Sequence, residues 1–109
     1  MIDVYVTRGS TNEIRSFTIS GHADAGPYGY DLVCAAVSAL SFGAINAVDA
    51  LCGVKLQVET DDDAGGFLRC DVPHVEKETE EKVQLLLEGM LVSLRSVAEE
   101  YGEHIVVHN

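Results

Sequence analysis

Residues Met1 to Arg8 alternate, with Ile2, Val4 and Val6 pointing one way and Asp3, Tyr5 and Thr7 the other. This is the period-two pattern of a half-buried strand. Gly9-Ser10-Thr11-Asn12 has turn chemistry. Glu13 to Ser20 resumes an extended pattern with Phe17 and Ile19 on one face, so a hairpin is expected. Gly21 to Tyr30 contains three glycines and a proline and reads as a loop. Asp31 is then the expected N-cap of a long apolar helix, its carboxylate accepting from backbone N–H groups two or three residues on. That helix should run to about Cys52, where Gly53 supplies a stop. It is rich in Ala and apolar on almost every side, so cover on more than one side is expected.

Val54 to Glu59 alternates again and predicts another strand. Asp63-Ala64-Gly65-Gly66 ends its turn, and Phe67 to Val72 follows with Leu68, Cys70 and Val72 on one face. Pro73 closes that strand. A second helix is expected from near Thr79 or slightly earlier. Val83, Leu86, Leu87, Met90, Leu91, Leu94, Val97, Ala98 and Tyr101 form a stripe at steps of three and four, and Gly102 ends it. Glu103 to His108 reads as a last short strand. The order ββ-α-ββ-α-β predicts an α+β fold, a largely antiparallel sheet packed with two helices in a single domain over residues 1–109.

Composition narrows the function classes. A chain of 109 residues, 47% of them hydrophobic, buries roughly two-thirds of its unfolded surface and needs no disulfides for a core. Cys34, Cys52 and Cys70 are odd in number and form no CxxC pair, which points to a reducing cytoplasm. The opening Met1-Ile2-Asp3-Val4 shows no signal-peptide pattern. The apolar tract from Leu32 to Leu51 carries Ser38, Ser41, Asn46 and Asp49 and reads as a buried helix, not a membrane span. A net charge of −11 argues against nucleic acid as a direct ligand, since phosphate binding needs clustered Lys and Arg. It serves solubility and permits attraction to a basic partner. Acids crowd the turn at Glu59, Asp61, Asp62 and Asp63, and again at Glu76, Glu78, Glu80 and Glu81, where they suit the positive end of a helix dipole.

One stretch carries specific chemistry. His22 ends a strand, a glycine-containing loop follows, and Cys34 lies just inside the expected helix start. A thiol near a helix N-terminus with an imidazole close by has the parts of a cysteine nucleophile and its base. Gly21, Gly26 and Gly29 can supply the bends that bring the two together. The plainer reading makes Cys34 a small core residue and His22 a loop histidine. Cys52 and Cys70 lack such a setting and take the core reading. His74, His104 and His108 show no positioned partner and read as surface or strand-end residues. Asp31 is either the helix cap or a third member that holds the His22 tautomer. Ser38, one turn after Cys34, either lines a groove or permits close packing. No short ligand spacing supports a metal site, and no cofactor is implied.

At these residues the chain resembles the bacterial ribosomal-processing cysteine proteases. The segment that carries the resemblance is Gly21-His22, then Gly29-Tyr30-Asp31-Leu32-Val33-Cys34-Ala35, then Ser38. The similarity continues through Phe42-Gly43-Ala44-Ile45-Asn46-Ala47, Gly65-Gly66, Met90 to Leu94 and Glu99-Glu100-Tyr101. It implies a protease that removes the N-terminal extension of a large-subunit ribosomal protein, number twenty-seven. Under it His22 is the general base and Cys34 the nucleophile, with Asp31 and Ser38 at further motif positions. It also implies a homodimer and a loop, hinged at Gly21 and Gly29, that moves when substrate binds. Backbone N–H groups at the helix start are the expected oxyanion donors. The competing class is a non-catalytic factor that binds a ribosomal protein or assists assembly; an unrelated thiol hydrolase or acyltransferase is a third.

Overall fold

The computed structural model describes residues 1–21, 27–61 and 66–109, with segment 27–31 as backbone only. Its elements are β1 (Ile2–Arg8), β2 (Ile14–Ser20), α1 (Pro27–Cys52), β3 (Gln57–Thr60), β4 (Phe67–Asp71), α2 (Lys77–Glu100) and β5 (Ile105–His108). The five strands form one sheet in the order β3-β4-β2-β1-β5. Every neighbouring pair is antiparallel except β1 and β5, which run parallel. The element order and the largely antiparallel sheet are those the hydrophobic pattern predicts.

The strand register explains the core. Val4 lies opposite Ile19, Ile19 opposite Leu68, and Leu68 opposite Thr60. One step along, Val6, Phe17, Cys70 and Val58 make a second row on the same face. Cross-strand neighbours share a face, so these rows form the apolar side of the sheet. The stripe on α2 buries Val83, Leu87, Met90, Leu91 and Leu94 against it. On α1 the residues buried are Val33, Val37, Ser41 and Val48. The opposite face of the sheet carries Asp3, Tyr5, Thr7, Thr18 and Arg69. There Tyr5 stacks on His108 with ring centroids 4.4 Å apart, and His108 Nε2 lies 2.9 Å from Asp3.

Polar ties clamp the sheet to α2. The Arg8 guanidinium donates to both Glu88 oxygens at 2.9 and 3.0 Å and to the Asn12 carbonyl at 2.8 Å. These bonds hold the Glu88 carboxyl below the usual carboxylate range. Arg15 on β2 pairs with Glu80 and lies 3.2 Å from His74 Nδ1. The Gln84 side chain accepts from the Ile14 N–H and donates to the Ile14 carbonyl. The partners of His74 and His108 are thus tertiary, out of reach of sequence spacing.

Turn and stop signals hold where the backbone demands them. Asn12 takes the left-handed conformation (φ 68°) in the β1–β2 turn, where the Gly9 N–H donates to the Glu13 carbonyl. Gly53, at φ 68°, ends α1. Its N–H donates to the Asp49 carbonyl, and the Val54 N–H reaches the Val48 carbonyl. This pairing closes a helix with glycine just beyond its last turn.

Two expectations for α1 are corrected. The helix starts at Pro27, so Asp31 lies inside it and is not its N-cap. The signal for the earlier start is Pro27 itself: proline is favoured at the first helical position, where its missing N–H costs nothing. Nor does the rest of this chain cover α1 on more than one side. Within the apolar stretch Leu32–Cys52 only Val33, Val37, Ser41 and Val48 are buried. Leu32, Phe42 and Leu51 are exposed at 55%, 42% and 73%. The stretch is also long and apolar enough to cross a membrane.

Candidate active site

Cys34, Val37, Ser38, Ser41 and Phe42 sit at steps of three and four, so α1 presents them on one side. They form one wall of a cleft of ≈ 200 Å³. The other wall is the end of the sheet, with Ile2, Ile19 and Gly21 from one hairpin and Thr60, Gly66, Phe67 and Leu68 from the other. Cys34 is half-buried, and Ser38 is exposed one turn further on. Ser41 is 1% exposed, and its hydroxyl donates to the Val37 carbonyl at 2.6 Å. It is therefore satisfied within the helix, whereas Ser38 is the hydroxyl placed beside the thiol. The cleft thus presents the thiol of Cys34 on a predominantly apolar floor.

Glycine is required at the cleft wall. Gly21 has φ +88°, and a Cβ there would collide with the Met1 carbonyl oxygen. Its N–H donates to the Gly66 carbonyl at 3.0 Å, which ties the end of β2 to the start of β4. Gly66 is also left-handed, at φ 94°. Both residues adopt left-handed backbone conformations that favour glycine, and at Gly21 the close approach to Met1 excludes a Cβ as well.

The other cysteines are separated from this site. Cys70 is fully buried in the sheet, and burial pushes its thiol up to about 12, with Asp71 adding repulsion. It is a core residue and no nucleophile at neutral pH. Cys52 is the last residue of α1 and half-buried, packed against the core. His74, His104 and His108 do not line the cleft. Among the described residues, no group of three His, Cys, Asp or Glu side chains is placed to hold a metal ion.

The early start of α1 changes the setting of Cys34. The thiol is seven residues past Pro27, not at the third helical position. The field of a helix end falls off within its first turn. The unsatisfied N–H groups of that first turn are therefore too far back to serve as the oxyanion donors expected beside Cys34. Gly29, expected as a hinge, lies within the first turn of the helix. His22 lies outside the described residues; Gly21, immediately before it in sequence, is in the cleft wall. Asp31 is on α1, one helical turn before Cys34. The neighbourhood that sequence reasoning missed is the sheet wall. Thr60, Phe67 and Leu68 reach the cleft only because β3 and β4 pair beside β2, and no local pattern shows that.

Comparisons with known proteins agree over almost the whole chain. Residues 1–106 match the family model described as cysteine protease Prp. The ribosomal processing cysteine protease Prp of Bacillus subtilis is 39% identical over 108 residues, which are 98% of this chain and 96% of that protein. The Staphylococcus aureus protein of the same name is 39% identical, with 96% and 95% covered. The crystal structure of the S. aureus protease in complex with a substrate peptide superposes with a TM-score of 0.84 at 35% identity, over 99% of this chain and 98% of that one. A second structure of that protease holds a covalently linked product peptide, and it too gives a TM-score of 0.84, at 36% identity and the same coverage. With the fold, the thiol-bearing cleft and these relatives in agreement, the chain belongs to the Prp family and is a cysteine protease.

Proposed function

We propose that this protease removes the N-terminal extension of a large-subunit ribosomal protein, number twenty-seven, with Cys34 as nucleophile and His22 as base. The observation that carries the reading is the cleft. Its helical wall exposes the Cys34 thiol, and its sheet wall ends at Gly21, directly before His22. The relatives named for ribosomal processing support the substrate class.

In this mechanism His22 takes the proton from Cys34 Sγ, and the thiolate attacks the scissile carbonyl carbon. In this reading the Ser38 hydroxyl, which lines the same wall one turn along, supports the site by donating to the oxyanion that forms. Collapse of the adduct breaks the C–N bond, and His22 returns its proton to the leaving amine. The product is a thioester on Cys34. His22 then deprotonates a water, which attacks the thioester and frees the carboxylate and the thiol. Asp31 either orients His22 or acts within the helix alone; Asp31→Asn read against the pH profile of cleavage separates these roles.

Cleavage of a synthetic peptide spanning the extension junction, followed by mass spectrometry, tests the reading. Wild type should yield one new N-terminus and His22→Ala should yield none. Equal cleavage by both removes His22 from the mechanism, and binding without turnover by wild type favours an assembly factor. The net charge of −11 suits a basic ribosomal substrate. The cleavage rate should therefore fall as salt is added, and salt-independent kinetics would remove that electrostatic term. The reading places the enzyme in the cytoplasm, where ribosomal proteins are made and thiols stay reduced.

The reading includes a homodimer. Ala35, Ala39, Phe42, Gly43, Asn46 and Ala50 share the exposed side of α1, and Leu32 to Val48 contains no charged residue. An uncharged helix face of small residues suits close approach by the same helix of a second copy. Sedimentation should show a dimer for wild type and a folded monomer for Ala39→Glu. A monomeric wild type sinks this part.

A further inference from the structure

Strand β3 ends the sheet, and the register shows which of its backbone groups face outward. The Asp61 N–H donates to the Phe67 carbonyl at 3.3 Å, directly beyond the paired residues Thr60 and Leu68. In an antiparallel ladder, hydrogen-bonded and non-bonded pairs alternate. Glu59–Arg69 and Gln57–Asp71 are therefore the bonded pairs across β3 and β4. Val58 and Thr60 then aim both N–H and C=O away from β4, at the open edge. All four residues of β3 are exposed, and the strand carries no proline or lysine to block an incoming chain.

This edge leads into the cleft. Thr60 is part of the cleft wall that faces Cys34. Val58 and Thr60 put their side chains on the apolar face, in the rows of Cys70 and Leu68. Val58 remains 41% exposed at the end of its row. The outer face carries a different row, Tyr5, Thr18, Arg69 and Glu59. Arg69 gives its two hydrogen bonds, at 3.1 and 3.0 Å, to Asp71 and shares its charge with Glu59 across the ladder; Glu59 is the last residue of the row, at the open edge.

We propose that the substrate binds as a sixth strand along β3, hydrogen-bonded to the N–H and C=O of Val58 and Thr60, with one end delivered to Cys34 beside Thr60. The occupant is an extended peptide, and its successive side chains point to opposite faces. The residue that continues the row of Val58 is apolar. The residue that continues the row of Glu59 is lysine or arginine, as cross-strand charge pairing favours. The inference rests on Cys34 as the nucleophile of the proposed function and adds how the peptide is held.

Val58→Pro is the direct test, because it deletes an outward N–H and leaves the bonds between β3 and β4 intact. With the junction peptide, kcat/KM should fall about tenfold, carried by KM. The rate at which iodoacetamide alkylates Cys34 should not change, which reports an intact site. A second arm uses the wild-type enzyme and peptides N-methylated at one amide each. KM should rise about tenfold at every second amide of the segment that lies on β3, and not at those between. A flat N-methyl series, or unchanged kcat/KM in Val58→Pro, overturns strand addition. A wild-type enzyme that turns over no junction peptide overturns the protease reading instead.

Discussion

Cys34→Ala is expected to abolish cleavage of the junction peptide, with kcat down by about 10⁴-fold or more. The size follows from the chemistry. In the proposed mechanism, removing the thiol leaves no thioester to form and gives the base no nucleophile of the protein to activate. Residual rate enhancement then comes only from substrate positioning and from any donor to the oxyanion. The fold should survive, because Cys34 is half-buried on the cleft side of α1. Loss of one sulfur there is comparable to loss of a methylene, about 0.8 kcal/mol. Peptide binding, read by fluorescence anisotropy, should stay within about threefold of wild type, since uniform binding does not depend on the nucleophile. Retained turnover in Cys34→Ala would move the nucleophile elsewhere. Cys52, outside the cleft, and Cys70, pushed up to about 12, are poor replacements.

Phe17→Ala is expected to have the largest effect on stability, about 3–5 kcal/mol. Phe17 is 1% exposed and sits in the second strand row, between Val6 and Cys70. β2 has a strand on each side, so this position cannot relax toward an edge. Typical domains are stable by about 5–15 kcal/mol, so the variant should lie near the unfolding threshold. The urea midpoint should drop sharply while the slope stays constant. Cys70, buried beside Phe17, should become open to alkylation in the same variant. The exposed Phe42 is the control, and its truncation to Ala should leave the midpoint within about 0.5 kcal/mol of wild type. A small shift for Phe17→Ala would mean that the helices, not the sheet rows, dominate cooperativity.

Much of the fold was legible in the pattern. Period-two runs located the strands because one sheet face is buried and the other is wet. The 3.6-residue stripe located α2 because only one side of it meets the core. Gly53 and Gly102 marked the ends of the helices. The start of α1 is not legible in the sequence, for a physical reason. Gly26, Gly29 and Pro27 have loop-like propensities, yet proline at a first helical position is compatible with the helix it opens. Burial of α1 is not legible either, because composition reports how apolar a helix is, not which chain or element covers it. The thiol of the site was legible in Cys34 and its flanking motif. Its setting was not, because Cys34 lies well inside the helix.

By itself the sequence determined the number and type of the elements, the alternation that sorts strand faces, and the motif that marks Cys34 from Cys52 and Cys70. These are local properties, readable over a turn of helix or a few residues of strand. Only the tertiary structure decided that β4 pairs with β2, that β5 runs parallel to β1, and that β3 is left at the edge. Those choices place Thr60 and Leu68 opposite Cys34 and leave one side of α1 uncovered. Strand order depends on how distant apolar faces pack together, and no short window of sequence contains that information.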